Sequence, residues 1–325
     1  MHLIGLSALS VITFRENGLT MRILVSGSSG LVGSALVRKL KGSGSEVGRL
    51  VRTTRATKPL DVFWKPGELL DPELISGFDA VVHLAGRNLA GRWSGQMKRE
   101  IRESRLLGTA TISRAVAAAF GACGKPSVLV SASAIGYYGS RGSELLTESS
   151  SSGTGYLAEL CREWEAAASP AAEAGVRVVL PRLGVVLSRE GGALSRLLPI
   201  FRLGFGGRVG NGRQYWSWIT LEDVVAAIEF AIATPSLSGP VNLTSPNPVT
   251  NAGFTAALAR ALRRPALLPV PAFAHPRIVH PWFAHPWAVQ MRFGRRDSAF
   301  PLAPAFPEPR ARAPVPADLD WLGWD

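Results

Sequence analysis

Short apolar runs alternate with longer amphipathic segments over most of the chain. The short runs are rich in Val, Ile and Leu, which is typical of buried parallel strands. The longer segments repeat their apolar residues three and four positions apart, which predicts helices. The predicted strands are 21–27, 46–52, 78–86, 127–134 and 176–187, and the predicted helices are 31–44, 97–120, 156–175, 221–233 and 251–264. This alternation predicts a Rossmann-type, doubly wound parallel α/β sheet.

The pattern also predicts how the chain is divided. Residues 21–187 form the predicted Rossmann domain, and the Gly-rich, aromatic stretch 188–274 a small C-terminal substrate lobe interleaved with it. Residues 1–20 contain an apolar run but lack the basic start and the cleavage site of a signal peptide. We expect them to be a non-native or disordered extension before a start at Met21. Proline makes up nine of the 51 residues 275–325, which argues against a long regular helix there.

The formal net charge of +12 raises the question of an anionic ligand. Basic residues are most frequent between Arg38 and Lys65, without forming a charged tail. A solvated basic surface explains them, and so does a surface that attracts a phosphorylated ligand. The sequence shows no nucleic-acid-binding motif, so no nucleic-acid partner is expected.

The cysteine, histidine and hydropathy patterns argue against a disulfide-rich, a metal-binding and a membrane protein. Two cysteines, Cys123 and Cys161, are too few for a disulfide framework, so we expect a reducing, cytoplasmic location. The three His-Pro pairs near the C-terminus lack neighbouring carboxylates, and no metal site is predicted. No continuous apolar run approaches the roughly 18 residues that span a bilayer, so no membrane attachment is expected.

The glycines of Gly27-x-x-Gly30-x-x-Gly33 lie between the first predicted strand and helix. In this position they predict a dinucleotide-binding turn. Gly27 permits the tight turn, Gly30 lets the backbone approach a diphosphate, and Gly33 lets the helix pack against the strand. The helix N-terminus then offers its free N–H groups to the phosphates.

The end of the second strand indicates which dinucleotide binds. Sheets that bind NAD place Asp or Glu there, whereas this chain has Val51-Arg52, followed by Arg55. Arginine pairs with a 2′-phosphate that an acid would repel, which favours NADP(H). The alternative is that Arg52 is a solvated loop residue. His83, in the strand before Gly86, is interpreted as a core histidine rather than a catalytic one.

The chain resembles the extended short-chain dehydrogenases/reductases, and within them the atypical epimerase-family group called SDR39U1-like or YfcH-like. The stretches that carry the resemblance are MRILVSGSSGLVGSAL, DAVVHLAG, IRESR, VSASAIGYYG, CREWEAAA, RLGVVLSREGGAL, GNGRQYWSWITLEDVV and PVPAFA. After PVPAFA this family continues with helices that are missing here, so residues 275–325 are hypothesised to be a frameshift product or disordered.

The resemblance implies that NADP(H) binds across the edge of the sheet. The implied cofactor residues are Gly27, Ser29, Gly30, Leu31, Val32, Gly33, Val51, Arg52, Leu84, Ala85, Glu100, Arg105 and Val186. It also implies a Ser/Thr, a Tyr and a Lys as the catalytic group, in which the lysine lowers the pKa of the tyrosine.

This chain departs from that catalytic pattern. Ser131 and Ser133 end the expected strand, and Tyr156 stands near the tyrosine position, but Leu160 stands where the lysine belongs. A shift of one residue places Leu157 and Cys161 there instead. Tyr137 and Tyr138 are alternative phenols, and Arg141 and Arg182 alternative cations. Without a cation, a phenol with a pKa near 10 is a poor base at neutral pH.

Two functions remain open from the sequence. The first is an epimerase- or dehydratase-like NADP(H)-dependent oxidoreductase that acts on an unknown small hydroxylated or carbonyl substrate. The second is a non-catalytic NADP(H)-binding sensor or interaction protein, which the missing lysine favours. Gln214, Trp216 and Trp218 are predicted to line a substrate pocket or, equally, to anchor the small lobe. A homodimer is left open as the assembly.

Overall fold

The computed structural model describes residues 20–53, 58–89, 91, 93–266 and 290–291. Its centre is a parallel sheet with the strand order β12-β8-β5-β4-β1-β2-β3, beside which β6 also pairs with β8. This order reverses between β1 and β4, which is the point where doubly wound sheets bind ligands. The strands of this sheet are β1 (Arg22–Ser26), β2 (Glu46–Val51), β3 (Val62–Phe63), β4 (Ala80–His83), β5 (Val128–Ser131), β6 (Ser133–Ala134), β8 (Arg177–Leu183) and β12 (Gly239–Leu243).

Helices cover both faces of the sheet, because alternate strand residues point to opposite sides. Ile23 and Val25 pack with helices α1 and α6, whereas Leu24 packs with α2 and α4. The helices are α1 (Leu31–Gly42), α2 (Gly95–Cys123), α3 (Tyr156–Ala166), α4 (Ser169–Glu173), α5 (Gly192–Arg202), α6 (Leu221–Ala233) and α7 (Asn251–Ala261).

A smaller cluster of apolar residues forms a lobe beside the sheet. It joins α5 and α7 through Leu197, Phe201, Trp216 and Leu258. The strands outside the main sheet are β7 (Leu145–Leu146), β9 (Val185–Leu187), β10 (Tyr215–Trp216), β11 (Trp218–Thr220), β13 (Val249–Thr250) and β14 (Gln290–Met291). They pair two by two, as β9 with β11, β10 with β13 and β7 with β14.

The predicted fold class is confirmed, and three of the predicted elements are interrupted in the structure. The helix predicted at 156–175 is two helices, and Pro170 lies at the start of the second. Proline has no N–H for a helix interior, but it is tolerated in the first turn. The strand predicted at 127–134 is interrupted at Ala132, and that at 176–187 is interrupted at Gly184. The predicted extension 1–20 lies outside the described residues except for Thr20, and so does the predicted tail 275–325 except for Gln290–Met291.

Helix α2 meets the length and composition criterion for a membrane span. Its best 18-residue window has a mean hydropathy of 1.4. The criterion concerns average composition over a helix and not a continuous apolar run, so the expectation of no membrane attachment stays a prediction. The core helices of soluble proteins pass the same test. Ile112 and Val116 of α2 are buried against the sheet, which is the behaviour of such a core helix.

Candidate cofactor cleft and active site

The turn between β1 and α1 is packed so closely that it tolerates only glycine at two positions. Gly27 has a φ of +68°, and a Cβ there would lie 2.7 Å from the carbonyl carbon of Leu84. A Cβ on Gly33 would lie 2.2 Å from the Gly27 oxygen, so α1 approaches the turn at backbone distance. Gly30 is the N-cap and brings no side chain to the first turn of α1. This cradle fits a diphosphate on the helix N-terminus.

The turn is fixed to the end of β4 by Ser26. The Ser26 Oγ accepts hydrogen bonds from the N–H groups of Leu84, at 3.1 Å, and Ala85, at 3.2 Å. The Ser26 hydroxyl therefore donates its proton to His83 Nδ1, at 2.7 Å. Because Nδ1 accepts this hydrogen bond, the proton of the neutral imidazole ring is on Nε2. His83 is fully buried, and burial together with the charge of Arg105 lowers its pKa to about 3. The histidine is thus a neutral core residue, as the sequence predicted.

Arg105 of α2 lies beneath the loop that follows β4. Its side chain is buried and stacks on Trp164, with 5.0 Å between the guanidinium carbon and the ring centroid. A Cβ on Gly86 would lie 3.3 Å from the same carbon, so the glycine leaves room for the guanidinium at the cleft. Glu100, one turn earlier in α2, forms an exposed ion pair with Arg87 at 3.1 Å.

The end of β2 carries an exposed arginine and no available acid. Arg52 is exposed, and Val51 before it is partly buried. The next acid along the chain, Asp61, is held by Arg49, whose Nε donates to it at 2.9 Å. Burial raises the pKa of Asp61, but the hydrogen bonds and charge of Arg49 outweigh this and lower it. Asp61 is therefore already engaged by Arg49.

The other predicted cofactor residues border the same turn. Leu31 and Val32 open α1 and are partly buried, and Ser29 is exposed just before them. A Cβ on Gly191 would lie 3.3 Å from Leu31, so the loop after β9 passes over the start of α1. Val186 is in β9, paired with Ile219 of β11.

One row of α3 faces Ser133. Residues four apart share a helix face, and Leu157, Cys161 and Glu165 form such a row. A Cβ on Gly136 would lie 3.4 Å from both Leu157 and Cys161. Ser133 Oγ donates to Glu165 Oε1 at 2.6 Å. The row of α3 beside Ser133 is thus the one that is shifted by one residue from Tyr156 and Leu160. It has Leu157 and Cys161 at the positions where the family has tyrosine and lysine. Burial raises the pKa of the Cys161 thiol to about 12, so this thiol is protonated and inert.

Tyr156 belongs to the neighbouring row of α3, which faces α2. Its hydroxyl donates to the Lys98 carbonyl oxygen at 2.6 Å, and its ring meets Trp93 edge to face. Leu160 is buried beside Ile101 in the same contact. The Tyr156 hydroxyl therefore bonds to the backbone of α2, whereas the Ser133 hydroxyl bonds to Glu165 on another row of α3. Burial raises the pKa of Tyr156, which makes it a weaker acid.

A buried network surrounds Ser133. Arg182 binds both oxygens of Glu165 at 2.8 Å and donates to the Tyr138 hydroxyl at 2.7 Å. Tyr138 in turn donates to Asn242 Oδ1 at 2.7 Å. The Arg182 guanidinium also lies 3.5 Å from the centroid of the Tyr137 ring. Burial alone would lower the pKa of Arg182, but its bonds to Glu165 raise it.

The network shows what the sequence missed. Of the alternative cations, Arg182 is beside both candidate phenols, whereas Arg141 pairs with Glu144 at the surface. Glu165 was not predicted, although it stands four residues after Cys161 on the same row. Ser131 is buried, and its hydroxyl has no hydrogen-bond partner among the described residues.

The predicted pocket aromatics lie in the small lobe. Trp216 is buried against Phe254, with 4.5 Å between ring centroids, which is the anchoring role left open by the sequence. Trp218 Nε1 donates to the Asn247 carbonyl, and Gln214 Nε2 donates to the Val209 carbonyl, both at 3.1 Å.

Comparisons with known proteins agree with this architecture. Residues 23–243 match the NAD dependent epimerase/dehydratase family. The epimerase family protein Mb2239 of Mycobacterium bovis is 50% identical over 255 residues, which cover 78% of this chain and 82% of that protein. The mouse epimerase family protein SDR39U1 is 35% identical over 296 residues, covering 90% of this chain and 98% of its own length.

A solved structure is similar in fold and sequence. The crystal structure of human SDR39U1 (isoform 2) with NADPH has a TM-score of 0.72 and 30% identity, over 84% of this chain and 91% of that one. The fold, the glycine turn and these relatives agree: the chain belongs to the NAD dependent epimerase/dehydratase family, among its SDR39U1-like members.

Proposed function

We propose that the protein binds NADP(H) across the turn between β1 and α1 and acts as an oxidoreductase on a small hydroxylated or carbonyl substrate. The observation that carries the proposal is the cradle at Gly27 and Gly33, where any Cβ would strike backbone atoms. Because no side chain fills this turn, the N–H groups in the first turn of α1 are available to bind a diphosphate. When bound, the nicotinamide ring would supply or accept a hydride.

The residues of this chain have distinct roles in the proposal. Gly27, Gly30 and Gly33 hold the diphosphate, and Leu84 and Ala85 line its far side. Arg52 binds the 2′-phosphate, because it is exposed at the end of β2 and the nearest following acid is engaged by Arg49. Ser133, oriented by Glu165, holds a substrate hydroxyl.

Titration with NADPH and NADH tests the cofactor. We expect NADPH to bind at least about tenfold more tightly, since a charge-assisted hydrogen bond is worth ~1.5–3 kcal/mol. Arg52→Ala should remove most of that preference. Arg114→Ala, which removes an exposed arginine from the middle of α2, is the matched control and should keep it. Equal binding of both dinucleotides by the wild type would refute the Arg52 assignment, and binding of neither would refute the function.

A non-catalytic NADP(H)-binding protein is the second candidate. The observation that favours it is the row beside Ser133, which carries Leu157 and Cys161 instead of a phenol and an amine. Incubating the protein with C4-deuterated NADPH and a panel of aldehydes and ketones separates the candidates. Deuterium transferred to any carbonyl supports the enzyme. If NADPH binds tightly and no label moves, the sensor function stands.

A further inference from the structure

Two strongly exposed apolar side chains lie together at one end of the small lobe. Leu203 is 71% exposed and Phe205 is 63% exposed, on either side of Gly204. Gly204 has a φ of +78° and follows α5 in a tight turn, in which the Phe205 N–H donates to the Ile200 carbonyl oxygen at 3.0 Å. In turns of this kind the residue after the glycine commonly packs back onto the helix. Phe205 instead leaves most of its surface in solvent.

The end of α7 packs against this turn and adds basic residues. A Cβ on Gly204 would lie 3.8 Å from Pro265, which follows α7. Arg263 and Arg264 precede this proline, Arg202 precedes the turn, and all three are exposed. Five residues within two positions of this contact form what we call the lobe tip, namely Arg202, Leu203, Phe205, Arg263 and Arg264.

The lobe contains no acid that could neutralise this charge. Its two segments, 191–220 and 247–266, have seven arginines and no Asp, Glu or Lys. All seven are exposed, and none of them forms an ion pair with another residue that the structure describes. They are Arg196, Arg202, Arg208, Arg213, Arg260, Arg263 and Arg264. Glu190, directly before the first segment, is engaged by Arg38 of α1 at 3.3 Å.

Helix ends explain part of this charge but not the apolar side chains beside it. Arg202 and Arg260 are in the last turns of α5 and α7, where a cation interacts favourably with the helix dipole. That interaction gives no reason for Leu203 and Phe205 to be exposed at the same place. An exposed apolar pair rimmed by basic residues is typical of an interaction surface.

We propose that the lobe tip binds the surface of a membrane that contains anionic phospholipids. The apolar side chains would enter the boundary between headgroups and acyl chains, while the guanidinium groups bind the lipid phosphates. Nucleic acid would also attract the arginines, but it has no use for an exposed leucine beside them. The inference does not depend on the proposed function.

The contact would be peripheral. α5 and α7 have 11 residues each, fewer than the ~20 residues of a helix that spans a bilayer. The sequence-based expectation of no membrane attachment considers only a spanning run and not contact with the surface. Vesicle binding would therefore show that expectation to be wrong.

Flotation of the full chain with lipid vesicles tests the inference. We expect binding to vesicles of phosphatidylcholine mixed with phosphatidylglycerol, little binding to phosphatidylcholine alone, and weaker binding at about 1 M salt, where charges are screened beyond ~3 Å. Leu203→Ser/Phe205→Ser and Arg263→Ser/Arg264→Ser should each weaken binding to the anionic vesicles about 10- to 30-fold. Unchanged binding of either variant would contradict the assignment to the lobe tip.

Two control variants change the surface elsewhere to the same extent. Leu69→Ser/Leu74→Ser removes two leucines that are 95% and 53% exposed between β3 and β4. Arg99→Ser/Arg114→Ser removes two exposed arginines from α2 and lowers the net charge as much as the variant of the lobe tip does. Both controls should bind vesicles as the wild type does. Equal losses in the controls and in the variants of the lobe tip would mean that binding is non-specific, and the inference would be wrong.

Three further results would overturn the inference. The first is a wild type that does not float with anionic vesicles. The second is tighter binding to a DNA duplex of random sequence that depends on Arg263 and Arg264, because the lobe tip would then be a nucleic-acid contact. The third is a dimer that Leu203→Ser/Phe205→Ser dissociates, or a melting temperature that this variant lowers by more than about 4 °C. Either form of the third result would mean that protein covers the lobe tip, from a second copy or from the same chain.

Discussion

His83 is a residue whose environment the sequence could indicate but not quantify. Its place in an apolar strand predicted burial, and the structure adds the hydrogen bond from Ser26. Because desolvation opposes the charged ring, the pKa falls to about 3 in the folded state, whereas an unfolded histidine titrates near 6.5.

This difference makes stability depend on pH. Between about pH 6.5 and pH 3 the unfolded chain binds a proton that folded His83 does not, so the free energy of unfolding decreases as the pH falls. The loss is ~1.4 kcal/mol per pH unit, or about 2 kcal/mol from pH 6.5 to pH 5. Denaturant unfolding at both pH values measures it. His83→Asn keeps an acceptor for Ser26 and should show a shallower pH dependence by that amount. An identical slope in both proteins would contradict the assignment.

At the scale of elements, α3 shows where prediction from sequence stops. Its apolar period predicted the helix, and Gly27, Gly30 and Gly33 predicted the turn at α1, because both signals are local. Which row of α3 faces Ser133 depends on how α3 packs between α2 and β6, and this is a long-range property.

The strand β12 and the helix α5 were missed for a related reason. Gly239, Pro240 and Pro199 weaken their local signals, and burial in the folded protein compensates for this.

The ion pair between Glu165 and Arg182 holds α3 against the sheet. Removing one partner leaves a buried charge, so Glu165→Leu should lower the free energy of unfolding by about 3–5 kcal/mol. The double variant Glu165→Leu/Arg182→Met should recover much of this loss, because neither charge is then uncompensated. Denaturant unfolding of the three proteins measures both effects.

Glu163→Ala is the control on the same helix. Its ion pair with Arg102 is partly exposed, with side-chain exposures of 35% and 46%, so the loss should stay below about 1 kcal/mol. Equal losses from Glu163→Ala and Glu165→Leu would show that burial of the inner pair has no energetic consequence.

At the scale of the whole molecule, the proposed cofactor site joins parts that are distant in sequence. The turn at Gly27 contacts the loop after β4, and the loop at Gly191 contacts Leu31 at the start of α1. Because α5 and the lobe follow that loop, a ligand in the cleft would contact both the sheet and the segment leading into the lobe. Binding energy should therefore stabilise the fold as a unit.

Thermal unfolding with and without cofactor tests this coupling. A ligand present at 100 times its dissociation constant stabilises the folded state by ~2.7 kcal/mol. For a domain of this size we expect NADPH to raise the melting temperature by about 5–10 °C. NADH at the same concentration should raise the melting temperature less, because it lacks the 2′-phosphate that Arg52 is proposed to bind. Gly33→Ala should abolish both shifts, because its Cβ would lie 2.2 Å from the Gly27 oxygen and displace α1 from the turn. An undiminished shift in that variant would mean that the dinucleotide binds away from the turn.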